Sequence, residues 1–288
     1  MNRTITMFCF TLRLKQEKLQ KDNLYLPELY KGRNEAIFMS YYEDISVCKT
    51  EAELLALWKT KKATTGHYME KKQEKTVFIN HQNVFISDGI VNETVWNSQD
   101  GKKILYVLKE AYGENEDWKL TEWLLQTKPS TSIWKRVIEW TYGIQHTNPE
   151  RIAKYAPDIY ERNLNLFNNI AVVNLKKSSG KSSSNYGEIE AYALADKAEI
   201  KKQLSIIAPD IIVCGATFRA LNHVYDDKIR PVGTWCDNWF YDTDIISDKK
   251  TLVIDYYHPA NHYPSLVNYY AITNIYQQAL LNSIRIDE

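Results

Sequence analysis

The sequence predicts an α/β fold built on a mostly parallel, four-stranded sheet. Four short apolar runs are separated by stretches with helical character. Continuous apolar runs are typical of parallel strands that are covered on both faces. The alternation of strands and helices then implies right-handed crossovers between neighbouring strands. The four predicted strands are residues 104–108, 170–173, 211–214 and 252–254.

Helical stretches connect these strands. The strongest helical pattern covers residues 189–207 and is closed by Pro209, which cannot continue a helix. Residues 176–187 are rich in serine and glycine, and this composition predicts a loop. Residues 227–247 have no clear period. The other predicted helices are 120–125, 133–142, 159–168 and 264–282.

Residues 1–100 are predicted to form an N-terminal extension of a main domain that covers 101–288. Within the extension, residues 50–59 predict a helix, because Thr50 and Glu53 have the spacing of a capping box. The lysine-rich residues 59–75 predict a loop. Two β-like runs follow, at 76–80 and 83–87, and predict a small hairpin.

Composition and charge exclude several classes of protein. Lys+Arg and Asp+Glu are both 36 in the 288 residues, so the formal net charge is zero and a strong, generic polyanion binder is not expected. No apolar run approaches the ~20 residues of a membrane helix. Four cysteines without a C-x-x-C pair predict no zinc or iron–sulfur site and fit a reducing, cytoplasmic location. They are Cys9, Cys48, Cys214 and Cys236.

A polar residue follows three of the four predicted strands. Glu110 comes after the first strand, Asn174 after the second and His258 after the last. In open α/β sheets, ligands bind beyond the carboxyl ends of the strands. A carboxylate, an amide and an imidazole gathered there would suit acid/base and hydrogen-bonding chemistry.

Four motifs occur in order along residues 103–283. They are KEAYG at 109–113, followed by an acidic run, NLKK at 174–177, PDIIVCGAT at 209–217 and HPA at 258–260. In this order they resemble the motifs of the uracil-DNA glycosylase superfamily, especially the branch whose first motif reads GE(A/G)PG. The resemblance implies a three-layer α/β/α sandwich. It also implies hydrolysis of the N-glycosidic bond of uracil or a related base in DNA.

The chain departs from this family pattern at identifiable positions. Lys109 and Tyr112 stand where the family usually has glycine and proline, which puts the shape of the base pocket in question. The four cysteines that hold an iron–sulfur cluster in the similar branch are also missing. We therefore expect a reaction without a metal or an organic cofactor.

The resemblance implies a role for each strand-end residue. Glu110 would supply negative charge beside the sugar and hold the attacking water, because the sugar becomes oxocarbenium-like. His258 would donate a hydrogen bond to the oxyanion of the departing base. Asn174 would read the uracil edge, where an N–H lies beside a C=O. The alternatives are a solvated carboxylate, a histidine held before Pro259 and a turn residue.

Four further residues would surround the flipped base, which must leave the helical stack to be reached. Trp123, or else Trp118, would provide the stacking ring, Glu116 would shield the C5 side, and Tyr112 would lie against the base. The alternative for the two tryptophans is packing on the sheet, and for Glu116 a solvated acidic turn.

Two segments would contact DNA, the expected partner. The predicted loop offers Lys176, Lys177 and Lys181 for phosphate contacts, which position a protein without reading sequence. Tyr263 or Leu266 would fill the gap left by the flipped base. The alternatives are a solvated, mobile loop and residues that pack on the last helix. At the level of the whole protein, two other functions stay open: hydrolysis of a free nucleoside, nucleotide or modified base, and a catalytically silent binding module.

Overall fold

The computed structural model describes residues 33–113, 116–181, 183–230 and 239–286, with the side chains of residues 40–282 in those ranges. The chain divides into two compact units, Met1–Asp44 and Ile45–Glu288. The first described helix, α1, covers Arg33–Val47. The second unit contains the strands and the remaining helices described below.

Within the described residues, a sheet of six strands forms the centre of the second unit. Its order is β4-β7-β5-β8-β10-β9. The inner four strands are parallel to one another, and β4 and β9 pair antiparallel at the two edges. The strands are β4 (Gly89–Ile90), β5 (Ile104–Tyr112), β7 (Ile170–Gly180), β8 (Ile211–Gly215), β9 (Phe240–Thr243) and β10 (Thr251–Tyr256).

The α/β class is confirmed, and the four predicted strands are the four inner ones. The predicted number of strands is wrong, because two short edge strands extend the sheet. Gly89 pairs with Val172 in β7, and Phe240 pairs with Ile254 in β10. Strands this short carry too few residues to show an alternating apolar pattern.

Helices cover both faces of the sheet, as the apolar strands require. In β5, Ile104, Tyr106 and Leu108 pack on one face, whereas Leu105 and Val107 pack on the other. The first face carries α4 (Leu120–Thr127), α5 (Ser132–His146), α6 (Ile159–Arg162), the 3₁₀ helix Leu164–Asn169 and α10 (Ser265–Ile286). The second carries α2 (Glu51–Lys59), α3 (Glu93–Ser98), α7 (Tyr186–Ala195), α8 (Lys197–Ile207) and α9 (Phe218–Val224).

The segment 45–100 belongs to the same compact unit as the rest of the sheet. Trp58, Phe85 and Trp96 lie in the hydrophobic core of the second face, where each is at most 1% exposed. Residue 100, where the N-terminal extension was predicted to end, lies inside the second unit. Helix α2 begins as predicted, since the Thr50 side chain accepts from the Glu53 N–H and completes the capping box.

The hairpin of this segment lies earlier than predicted. Strands β1 (Thr64–Glu70) and β2 (Gln73–Ile79) pair antiparallel, so most of the predicted lysine-rich loop is strand. Lys71 and Lys72 form the turn with positive φ angles of 47° and 67°. A turn with two positive φ values usually contains glycine or asparagine. Because this turn consists of two lysines, no local pattern in the sequence indicates it. The short strands β3 (Ile86–Ser87) and β6 (Trp118–Lys119) pair parallel with each other.

Two elements that follow the second inner strand also differ from prediction. Strand β7 continues through Gly180 into the predicted serine-rich loop. The predicted helix 189–207 is two helices that meet at Asp196. Asp196 is completely buried and binds Lys61 and His81, which come from the segment 45–100. Burial of these polar partners fixes the break, and no local pattern indicates it.

Candidate active site

A cavity of about 980 Å³ lies beyond the carboxyl ends of β5, β7 and β10. Glu110, Asn174 and His258 all line it, although they are far apart in the sequence. Because β5, β7 and β10 run parallel within one sheet, their carboxyl ends meet at the same edge. The structure therefore brings the three strand-end residues together, as the sequence analysis expected.

The Glu110 carboxylate is held by one lysine on the neighbouring strand. Lys176 Nζ donates to Glu110 Oε2 over 2.9 Å and to Glu188 Oε1 over 2.8 Å. Burial works to lower the pKa of the Lys176 amine, but the hydrogen bonds that it donates to Glu188 and Glu110, with the charges of these carboxylates, outweigh burial and raise the pKa. Lys176 therefore stays charged and forms a buried ion pair with Glu110.

Gly180 leaves the space that the Glu110 side chain occupies. A Cβ at this position would lie 2.5 Å from Glu110 Cγ and 3.0 Å from the backbone oxygen of Ala111. Distances this short do not occur between real side chains. The Lys181 N–H also faces Glu110 Oε1, at 3.5 Å. The end of β7 thus fixes the position of Glu110 from two directions.

His258 is half-buried and presents one donor. The Ala260 N–H donates to His258 Nδ1 over 3.1 Å, so in the neutral ring the proton is on Nε2. Burial, with a smaller contribution from the Lys109 charge, lowers the pKa of His258 from 6.5 to about 4. At neutral pH the side chain is therefore an uncharged imidazole with an Nε2–H available to a ligand.

Arg136 on α5 holds the segment that carries His258. Its guanidinium donates to the backbone oxygens of Pro259, over 2.6 Å, and Tyr263, over 2.7 Å, and also to that of Asn261. Arg136 itself is 9% exposed. A rigid fork that binds three carbonyls fixes the backbone, and with it the His258 ring.

Asn174 is 2% exposed and is fixed by Asp88. Asp88 Oδ2 accepts from the Asn174 backbone N–H over 2.7 Å and from its side-chain Nδ2 over 3.2 Å. Because a carboxylate accepts hydrogen bonds from the amide NH2 group and not from the amide oxygen, Asp88 fixes the orientation of the Asn174 side chain, with Nδ2 toward Asp88. One side-chain N–H and the carbonyl oxygen of Asn174 remain for other partners.

Asp88 belongs to a buried polar cluster, which we call the Asp88 network. Lys177 Nζ contacts Asp88 Oδ1 and donates to Gln203 Oε1 over 2.9 Å. Gln203 Nε2 donates to Glu51 Oε1 over 3.0 Å. The Lys177 amine also lies 4.9 Å from the centre of the Trp58 ring. Each of the four polar members is at most 7% exposed; they are Glu51, Asp88, Lys177 and Gln203.

The predicted DNA contacts of Lys176 and Lys177 are wrong. Lys176 is 4% exposed and Lys177 is 0% exposed, so neither amine reaches solvent. Because β7 runs through both residues, they alternate to opposite faces of the strand, one toward Glu110 and one into the Asp88 network. Lys181 does lie at the cavity and is exposed.

The tryptophans form one wall of the cavity. The Trp123 ring lies edge-on to Trp118, with centroids 6.3 Å apart, and to Trp134, with centroids 6.2 Å apart. All three line the cavity, and Trp123 is 36% exposed. The remaining predicted base contacts, Glu116 and Tyr112, line it too, and Tyr112 is 77% exposed.

Tyr263 and Leu266 lie outside the cavity lining. Each is 51% exposed, and the Tyr263 ring packs 5.4 Å from Tyr257. The Tyr263 N–H donates to the side chain of Asn261, which does line the cavity. Tyr263 thus adjoins the cavity through Asn261, and Leu266 is exposed on α10.

Lys109 is a cavity residue to which the sequence analysis gave no role. It is half-buried, lines the cavity, and lies close enough to His258 for its charge to lower the pKa of that ring. Within the described residues, its amine has no hydrogen-bond or ion-pair partner. It differs in this respect from Lys176 and Lys177, whose amines are fully paired.

Sequence reasoning missed the residues behind the site, namely Asp88, Gly180, Arg136 and Gln203. The sequence analysis gave Asp88 no role, and Gly180 lay within the predicted loop 176–187. Their roles depend on contacts across more than 60 positions in the chain. The Asp88-Gly89 dipeptide is a local turn signal in the sequence, and in the structure Gly89 has a φ of 132°, which suits glycine.

The described ranges contain no cluster of three or more potential metal ligands. In the same ranges, no helix combines the length and apolarity that crossing a lipid bilayer demands. No known family model matches the chain, and no curated protein matches it significantly.

Proposed function

We propose that this protein hydrolyses the N-glycosidic bond of uracil or a related base in DNA. The observation that carries the proposal is the convergence of Glu110, Asn174 and His258 on one cavity. Its volume of about 980 Å³ is large enough for a flipped nucleotide, since ligand cavities typically span ~300–1,000 Å³.

The three groups have the properties that this reaction needs. As the glycosidic bond breaks, the sugar gains positive charge and the base gains negative charge. The Glu110 carboxylate stabilises the positive charge that develops on the sugar and orients the attacking water. A neutral His258 with its proton on Nε2 donates to the base oxygen, and it needs no proton transfer from solvent to do so.

The fixed amide of Asn174 supports selection of uracil-like bases. One N–H of the Asn174 amide donates to Asp88, and the second N–H and the carbonyl oxygen are available to a base. Uracil presents the complementary pair, an acceptor oxygen beside an N–H. Trp123 provides an aromatic surface for the base, and such stacking contributes ~1–3 kcal/mol per base.

The test is incubation of the purified protein with oligonucleotides that contain uracil, hypoxanthine, xanthine or oxidised bases, followed by alkali. We expect strand breaks at one of these bases. Glu110→Gln and His258→Ala should each slow base release by about 10²–10³-fold, the usual effect of losing one such group. Glu150→Gln and His67→Ala, which change exposed residues away from the cavity, should retain the wild-type rate. Base release that is unaffected by the first two substitutions would contradict the proposal.

A second candidate function is hydrolysis of a free nucleoside or nucleotide. The burial of Lys176 and Lys177 favours it, because it removes two of the three lysines expected to contact the DNA backbone. Chromatography of nucleosides after incubation distinguishes the two, since this activity releases base from monomers and leaves oligonucleotides intact. DNA binding that weakens with salt, without cleavage of either substrate, would instead indicate a silent binding module.

A further inference from the structure

We propose that Lys109 captures the abasic sugar left after base removal, by forming an imine with C1′ and then cleaving the DNA strand. The inference rests on the proposed function, because that reaction would create the abasic sugar inside this cavity. It adds a second activity, a lyase step, to the hydrolysis of the glycosidic bond.

The first observation is that the Lys109 amine has no hydrogen-bond or ion-pair partner in the described ranges, although its neighbours Lys176 and Lys177 do. A half-buried ammonium has three donors, and proteins normally satisfy such groups with acceptors. Nearby, Lys176 binds two carboxylates and Lys177 binds Asp88 and Gln203. Within the described part of the chain, Lys109 has none of these contacts. An amine left unpaired at a cavity wall is therefore available to a ligand.

The second observation is its place beside the proposed catalytic groups. Lys109 immediately precedes Glu110 and lines the same cavity as His258, and its charge contributes to the lowered pKa of that ring. The sugar carbon released from the base must lie near Glu110 and His258. The amine is thus placed on the same wall as the groups that would handle that carbon.

The chemistry follows from the product. Loss of the base leaves a deoxyribose whose ring opens to an aldehyde at C1′. After losing a proton to water, the Lys109 amine adds to this carbonyl and expels one water molecule, which gives an imine. Removal of a C2′ proton, with the Glu110 carboxylate of the same cavity as acceptor, then breaks the C3′–O bond, and the 3′ phosphate leaves with the electron pair. Water hydrolyses the unsaturated imine and restores the amine.

A charged Lys109 without this role would oppose the proposed hydrolysis. An ammonium close to the sugar disfavours the positive charge that develops there. Phosphate binding is the other use of an amine at this wall. The two uses are separable, because arginine replaces lysine in binding a phosphate but does not form the imine.

The test uses an oligonucleotide whose abasic site is made by acid depurination, so that no base removal by the protein is needed. Borohydride added during incubation reduces an imine to a stable protein–DNA adduct. We expect an adduct, and peptide mapping should locate it on Lys109. We also expect strand breaks without alkali, and both should be lost in Lys109→Arg and in Lys109→Gln.

Matched variants sharpen the result. Lys154→Arg, which changes an exposed lysine outside the cavity, should retain the adduct. No adduct with the wild-type protein, an adduct on Lys181 or another lysine, or an adduct that survives in folded Lys109→Arg would each overturn the proposal. Circular dichroism establishes that the variants are folded.

The two proposals fail in different ways. If uracil is not released but the abasic site is captured on Lys109, the proposed base removal fails and the Lys109 assignment stands. If the wild-type protein and Lys109→Arg both release uracil but no adduct forms, the proposed base removal stands and the Lys109 assignment fails.

Discussion

The cavity and the Asp88 network contain the same kinds of residue, but they differ in how completely these are paired. In the network, every carboxylate and amine is buried and bonded to a partner in the protein. In the cavity, Lys109 is unpaired among the described residues, and His258 keeps Nε2 for a ligand. The comparison separates groups that hold the structure from groups that are available for chemistry.

The two regions meet at Asn174. Its backbone and one side-chain N–H belong to the network, whereas the rest of the amide lines the cavity. A rigid set of partners behind a binding residue reduces the orientational freedom that a ligand would otherwise have to freeze out. The segment 45–100, which supplies Glu51 and Asp88, thereby helps to build the site.

Removal of the Asp88 carboxylate tests the network with the largest expected effect. Asp88→Ala leaves the Lys177 ammonium buried without its counter-charge, which should lower the free energy of unfolding by about 3–5 kcal/mol. Urea denaturation measures the change. Lys119→Ala breaks an exposed pair with Glu122 and should change the stability by less than about 0.5 kcal/mol.

A double substitution tests whether charge is the reason. Asp88→Asn with Lys177→Met removes both charges at similar volume, so its loss of stability should be clearly smaller than that of Asp88→Ala. An equal loss would mean that packing, and not pairing, sets the network apart from the cavity.

The pH dependence of stability tests Glu51. Burial raises its pKa from 4.5 to about 7, against the opposing hydrogen bonds from Ile90 and Gln203. The folded protein therefore holds this proton more tightly than the unfolded chain does. The contribution of Glu51 is fully present below pH 4.5 and is lost as the pH rises toward 7.

The size of this change follows from the shift, at about 3 kcal/mol. We expect Glu51→Gln to flatten the slope of unfolding free energy between these pH values, with any constant offset disregarded. Glu150→Gln, at an exposed position, should leave the slope as it is. A Glu51→Gln variant with the wild-type slope would show that another group titrates there.

Gly180→Ala links packing to the cavity. The new methyl group would collide with Glu110 and with the backbone of Ala111, so one of them must move. We expect a loss of about 1–2 kcal/mol in stability, typical of overpacking. Base release should fall by much more than this loss of stability explains, because Glu110 is displaced. Gly101→Ala is the control, since a Cβ there meets only the flexible end of Gln145 at 3.8 Å.

The smallest effect concerns His258. Nuclear magnetic resonance titration of the ring should give a pKa near 4, well below the ordinary 6.5. Lys109→Gln should raise it only partly toward 6.5, because burial is the larger cause. A complete return to the ordinary value would mean that the Lys109 charge, and not the cavity wall, keeps the imidazole neutral.

Much of the fold could be predicted from local patterns. The inner strands, helix α2 with its capping box and the placement of polar residues at strand ends all depend on neighbours in the sequence. The hairpin β1–β2, the edge strands and the break at Asp196 could not be predicted. Strand β4 and the break at Asp196 depend on partners far along the chain. The hairpin β1–β2 pairs locally, but its turn consists of lysines where glycine or asparagine is usual, and β9 is too short to show an apolar pattern.

The sequence by itself determined that parallel strands would carry Glu110, Asn174 and His258 to one edge of a sheet, because apolar runs and strand direction are local properties. Only the tertiary structure decided which lysines are buried. Lys176, Lys177 and Lys109 look alike in the sequence, yet among the described residues the first two are paired with carboxylates and Lys109 is not. That difference is set by the acids that folding brings beside each amine, since a buried charge is stable only where an opposite charge or strong acceptor compensates for the water it has lost.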